Sequence, residues 1–76
     1  MKVMMITRKP RYKRTFVFDV ENQAAFDNFC RDYTQGLDQL NREHPQDAHR
    51  LEFTKGQQVA RLFNGSLHIF DFVLDD

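Results

Sequence analysis

Residues 22–42, NQAAFDNFCRDYTQGLDQLNR, decide the fold class. Phe26, Phe29, Cys30, Tyr33, Leu37 and Leu40 recur three and four apart, which lines their side chains along one side of an α-helix. Asn22 stands where an N-cap belongs, with a side-chain oxygen that accepts from a free backbone amide of the first turn. Asp27–Arg31 and Asp38–Arg42 lie four apart, acid first, and read as ion pairs on the wet side. Gly36 weakens the interior by about 1 kcal/mol relative to Ala, and Pro45 lies past the point where the helix has stopped. The spacing thus predicts a helix from about Asn22 to Arg42 with one apolar stripe, which needs an apolar surface to lie against.

The flanking segments supply that surface. Upstream, Val3-Met4-Met5-Ile6-Thr7 reads as a short strand. Residues 14–20 alternate, with Phe16, Phe18 and Val20 pointing one way and Thr15, Val17 and Asp19 the other. Pro10, between them, argues against a continuous central strand there. Downstream, residues 48–54, 57–63 and 66–74 read as three strands separated by Lys55-Gly56 and Asn64-Gly65. Asn-Gly is the stronger hairpin signal, because both residues tolerate the positive φ of a type I′ turn. The order is ββαβββ: a small single α+β domain, an antiparallel sheet of four to five strands packed on one helix.

Two-residue turns at both sites carry a register. Across Asn64-Gly65, Leu62 then faces Leu67, Arg61 faces His68 and Val59 faces Phe70; across Lys55-Gly56, Leu51 faces Ala60. Paired residues share a face, and faces alternate along a strand. Leu51, Phe53, Ala60, Leu62, Leu67, Ile69 and Val73 form an aliphatic face, assigned to the helix. Arg50, Glu52, Val59, Arg61, Phe63, His68, Phe70 and Phe72 form a mixed face with three phenylalanines among charges. One helix covers one face of a sheet, so this second face is covered by the N-terminal segment, a second copy or a partner, or stays exposed.

At 76 residues there is room for one core. The hydrophobic fraction of 41% excludes a disordered tail, and eight Phe with no Trp assign much of the buried area to phenylalanine. The formal net charge is zero, yet Lys2, Arg8, Lys9, Arg11, Lys13 and Arg14 crowd the first 14 residues, where no acid occurs. All eleven acids follow. The segment 1–14 is basic and the body acidic, an asymmetry that accompanies nucleic-acid contact or mutual attraction within the fold. The single cysteine excludes an internal disulfide and fits a reducing, cytoplasmic setting. The opening apolar stretch is too short for a signal peptide, and no run approaches the length of a membrane span.

No catalytic, metal or cofactor motif emerges. Cys30 with His44, His49 and His68 would number four zinc ligands, but Cys30 belongs to the apolar stripe and the histidine spacing matches no zinc site. A buried thiol is no nucleophile. The acids form no locally spaced pair, and there is no phosphate-binding loop, dinucleotide fingerprint or nucleophile elbow.

Two binding surfaces stand out instead. The favoured one is the mixed sheet face, with Arg50, Val59, Arg61, Phe63, His68, Phe70 and Phe72 as contacts to another protein. The alternative is nucleic acid. Lys9, Arg11, Tyr12, Lys13 and Arg14 interleave positive charge with an aromatic ring, and Phe63, Phe70 and Phe72 would act as a stacking platform. The outer helix acids Asp27, Asp32 and Asp38 would suit a basic groove. In size and character, though by no motif, the chain is similar to small phage and mobile-element proteins that inhibit host machinery, the anti-CRISPR proteins among them. The reading is a non-enzymatic inhibitor or adaptor that binds another protein, with a homodimer as a further way to cover the sheet.

Overall fold

The computed structural model describes residues 1–8 and 15–75. The elements run β1 (Lys2–Thr7), β2 (Thr15–Asp19), α1 (Gln23–Glu43), β3 (His49–Glu52), β4 (Val59–Asn64) and β5 (Leu67–Asp75). This is the expected ββαβββ order. The five strands form one antiparallel sheet in the order β2-β1-β5-β4-β3, so the first and last strands meet at its centre. Lys9, Arg11, Tyr12, Lys13 and Arg14, the expected nucleic-acid contacts, lie outside the described residues.

The helix forms for the reasons read from its sequence. Asn22 is its N-cap, with Oδ1 accepting from the Ala25 amide at 2.9 Å, and the His44 amide closes the far end on the Leu40 carbonyl at 2.9 Å. The apolar stripe lies on the sheet: Phe26, Cys30 and Leu37 are buried, and Phe29, Tyr33 and Leu40 pack at their margins. Two details differ. Asp27 is buried rather than wet, and its carboxylate accepts from Gln23 Nε2 at 3.0 Å and from the Gly56 amide at 3.2 Å. It thereby ties the helix to the β3–β4 turn, where Gly56 sits at φ +86°, a conformation open to glycine. Among the described residues the ion pairs are Lys2–Asp19, Arg8–Asp71, Arg50–Glu52 and His68–Asp71, so neither expected helix pair is formed.

The main correction concerns the sheet register. Gly65 takes φ +61° and Ser66 does not take positive φ, so the two-residue β4–β5 turn is Gly65-Ser66, with glycine first as in a type II′ turn. Asn64 stays in the strand. Its Oδ1 accepts from the Ala48 amide at 3.0 Å, while the Gly65 amide donates to the Ala48 carbonyl at 3.0 Å, securing the chain entering β3. The pairing then steps from Phe63–His68 to Leu62–Phe70, leaving Ile69 as the extra residue of a bulge. Leu62 therefore faces Phe70 instead of Leu67.

Before the bulge the pairing has moved by two, and Leu67 and His68 keep their faces. The extra residue makes the displacement odd from Phe70 onward, so it exchanges the faces of β5 there. Phe72 is 3% exposed and packs with Phe70 against α1, whereas Leu67 is 59% exposed and Val73 lies on the opposite side. The assignment of Phe70 and Phe72 to the outer face is thus overturned. The physical reason is area: two phenyl rings bury more apolar surface under the helix than Asp71 and Val73 would. They complete a ring cluster in which Phe29 meets Phe18 at 5.0 Å and Phe72 at 4.9 Å, and Tyr33 meets Phe72 at 5.1 Å. The β3–β4 pairing is displaced too, with Leu51 opposite Leu62, but by an even step. Leu51, Ala60 and Leu62 accordingly keep their expected place in the core.

Candidate functional site

The sheet face turned away from α1 is covered by no helix or strand among the described residues. Its composition follows from β1 and β5, the two central strands. In β1, Val3 and Met5 point into the core, so Met4 and Ile6 alternate to the other side. In β5, Phe72 and Leu74 point in, so Asp71 and Val73 point out.

Cross-strand pairing arranges these side chains in rows. Val17, Met4, Val73 and Val59 are successive partners across β2, β1, β5 and β4, and make an apolar row. Val17 is 53% exposed at the sheet edge, and the other three are half-buried by their neighbours. One row further, Ile6, Asp71, Arg61 and Glu52 are partners across β1, β5, β4 and β3. A third row runs from β5 to β3 through His68, Phe63 and Arg50. At the far end, Lys2 pairs with Asp19 at 3.0 Å in open solvent.

Among the described residues Asp71 is the one acid buried on this face, at 3% exposure. Arg8 donates to its Oδ2 from Nε at 3.1 Å and Nη2 at 2.5 Å, and His68 Nε2 meets Oδ1 at 2.5 Å. A carboxylate accepts only, so the imidazole carries its proton on Nε2. Burial alone would raise the Asp71 pKa. The hydrogen bonds and charges of Arg8 and His68 outweigh it and hold the carboxyl below its usual range.

The same cluster closes the aromatic platform expected for nucleic acid. The Phe63 ring is stacked with His68 at 4.8 Å and lies under the Arg50 guanidinium at 4.5 Å. Those partners come from the strands on either side of β4, so both faces of the ring are occupied. With Phe70 and Phe72 in the core, none of the three phenylalanines offers an open ring face on this side.

Five of the expected contacts, Arg50, Val59, Arg61, Phe63 and His68, are brought together on the uncovered face, and Phe70 and Phe72 are not. Met4, Ile6, Val17, Val73, Arg8 and Asp71 belong to it and were missed. The signal for Met4 and Ile6 was present, because an unbroken apolar run marks a strand with apolar side chains on both faces. Asp71, alone in the apolar stretch of β5, likewise marks a burial that requires partners.

Elsewhere, an open depression of about 710 Å³ lies beside the β3–β4 turn, with Gln23, Gln57, Gln58, Glu52 and Arg61 among its walls. Cys30 is fully buried, and burial, reinforced by Asp27, pushes its thiol up to about 12. It stays protonated at neutral pH and is neither nucleophile nor ready ligand. Among the described residues no group of three or more His, Cys, Asp or Glu is placed to hold a metal ion, and no helix is long and apolar enough to cross a membrane. Comparisons with protein-family models, with curated proteins and with solved structures match nothing to this chain.

Proposed function

We propose that the chain is a small non-enzymatic binding protein that docks on another protein through the uncovered face of its sheet, as an inhibitor or adaptor. The supporting observation is the apolar row Val17–Met4–Val73–Val59, flanked by the charged rows of Arg61, Glu52 and Asp71 on one side and by Lys2 and Asp19 on the other. An apolar strip with a polar rim is the anatomy of a protein–protein contact. The strip is built on the middle of the sheet, so it is presented rigidly and loses little entropy on binding. The Arg8–Asp71–His68 cluster keeps the neighbouring charges in fixed positions, which suits recognition of a partner with complementary charge. An intracellular inhibitor of the kind that phages encode belongs to the same proposal, as does the reducing compartment that a lone buried thiol suits.

The reading is tested by affinity capture with the wild-type chain and two sets of variants. Met4→Lys and Val73→Lys place charge in the centre of the strip, where a contact change costs about 2 kcal/mol or more, roughly thirty-fold in Kd. They are expected to release a captured protein partner. Replacing Arg11, Lys13 and Arg14 with Ala is expected to leave it bound. Capture that depends on the basic residues and disappears with nuclease would reverse the assignment in favour of nucleic acid.

A further inference from the structure

The two edges of the sheet are built differently, and the difference points to a contact of the chain with itself. Met1 and Val20 exchange both backbone hydrogen bonds, at 2.9 and 2.8 Å. By the alternation of an antiparallel ladder, Phe18 and Phe16 then bond to β1, while the amides and carbonyls of Thr15, Val17 and Asp19 point away from the sheet. Among the described residues no strand lies beyond β2. The edge is also apolar: Phe16 is 51% exposed on the helix side and Val17 is 53% exposed on the other. No proline or bulge interrupts Thr15–Asp19. Such an edge is a template for another strand.

The β3 edge lacks this character. It has four residues, and the outward backbone groups of His49 are already taken by the Asn41 side chain, whose Nδ2 donates to the carbonyl at 2.7 Å and whose Oδ1 accepts from the amide at 2.8 Å. A side chain engages the β3 edge at His49, whereas among the described residues no strand covers the β2 edge.

We propose that β2 pairs antiparallel with β2 of a second copy, around a two-fold axis at Val17, so that the two five-stranded sheets become one continuous sheet. This register is the one the backbone permits in full. Val17 faces its own counterpart and Thr15 faces Asp19, so all the outward groups of the strand pair. On the helix side Phe16 then faces Phe18 of the other copy, in the pair type where side chains approach closest. That extends the ring cluster that ends at Phe18 and Phe29 in one copy. Charge also selects the antiparallel sense. In sequence β2 is preceded by bases and ends on the acid Asp19, with Glu21 two residues on, so an antiparallel pairing keeps the acidic ends of the two strands apart. The outer apolar rows of the two copies become continuous through Val17. The pairing does not depend on the binding role proposed above.

The test is molar mass by light scattering across micromolar to millimolar concentration, with variants chosen by where the backbone points. Val17→Pro removes an amide that faces away from β1, so it spares the monomer ladder and blocks the pairing. It is expected to yield a monomer with unchanged circular dichroism. Val17→Lys sets like charges against each other across the axis and is expected to do the same, which keeps the test open if the proline variant does not fold. Val17→Cys reports the register, because residue 17 of each copy lies within disulfide reach of its counterpart, near 5.5 Å between Cα atoms. It is expected to form a cross-linked dimer on oxidation, whereas Phe16→Cys is not. A wild-type chain that remains monomeric at millimolar concentration overturns the proposal. So does a dimer that survives both Val17→Pro and Val17→Lys, which would place the contact elsewhere.

Discussion

The two faces of the sheet solve the same problem of burial in opposite ways. Under α1, nine apolar side chains from the helix and four of the strands are buried together, and a cluster of aromatic rings packs edge to face around Phe29 and Phe72. On the uncovered face the most deeply buried side chain is an acid. Asp71 is enclosed by the long side chain of Arg8 and the ring of His68, with no second layer over it among the described residues. Hydrophobic burial is non-directional, so the helix face tolerates any register that delivers enough apolar area. A buried carboxylate tolerates only an arrangement that brings donors to both oxygens. The first face supplies most of the apolar burial, and the second adds a directional constraint to the register that this burial favours.

The sharpest way to break this comparison is at Phe72. Phe72→Ala leaves a cavity in the middle of the ring cluster and is expected to cost about 3–5 kcal/mol, while Leu67→Ala, on an exposed residue, is expected to change stability by less than about 0.5 kcal/mol. Urea unfolding of the pair decides between the two registers, since the one read from Asn64-Gly65 buries Leu67 and exposes Phe72. Equal losses, or a larger loss at Leu67, would restore the register read from Asn64-Gly65.

Asp71→Asn is the next test. It keeps the shape and removes the charge, so Arg8 and His68 lose a charged acceptor, a loss of about 1–3 kcal/mol. The pH dependence has a definite sign. The folded-state pKa of Asp71 lies below that of an unfolded Asp, about 3.9. Its contribution is therefore complete above that value and is lost as the pH falls through the lowered folded-state pKa. Urea midpoints measured from pH 5 down to pH 2 are expected to fall more steeply for the wild type than for Asp71→Asn. Parallel curves would mean that the cluster contributes no linkage.

Gly65 sharpens the comparison from the side of the turn. At φ +61°, Gly65→Ala strains the II′ geometry and is expected to cost about 1 kcal/mol, read as a lowered midpoint with the slope unchanged. Asn22→Ala removes the helix cap for a similar cost of about 1 kcal/mol. The smallest effect is expected at Lys2→Ala, because both partners of its ion pair are largely in water, and such exposed pairs contribute about 0–1 kcal/mol, often nothing measurable.

Much of the fold was legible in sequence because it rests on local periodicity. The helix stripe from Phe26 to Leu40, the Asn22 cap and the strand alternation of Phe16 and Phe18 each need only neighbours a few residues away. The site was half legible. Arg50, Val59, Arg61, Phe63 and His68 share their face because an even displacement of β3 on β4 leaves faces intact. Phe70 and Phe72 were misplaced by the bulge at Ile69: moving the turn from Asn64-Gly65 to Gly65-Ser66 shifts the pairing by two and leaves faces intact, and the extra residue makes the step odd. Asp27 was read as a solvated helix acid because nothing local shows that the Gly56 amide, 29 positions away, needs an acceptor.

The sequence by itself determined the α+β class, the ββαβββ order and the side of the helix that is buried, since these follow from hydrophobic period, capping and turn residues. Only the tertiary structure decided that β1 pairs with β5, which strand edges stay open and which face of β5 enters the core. Those choices depend on contacts distant in the chain: aromatic area seeking the helix, and a buried carboxylate seeking two donors, one of them at position 8. Local pattern cannot rank such alternatives, because their energies exist only once the strands are side by side.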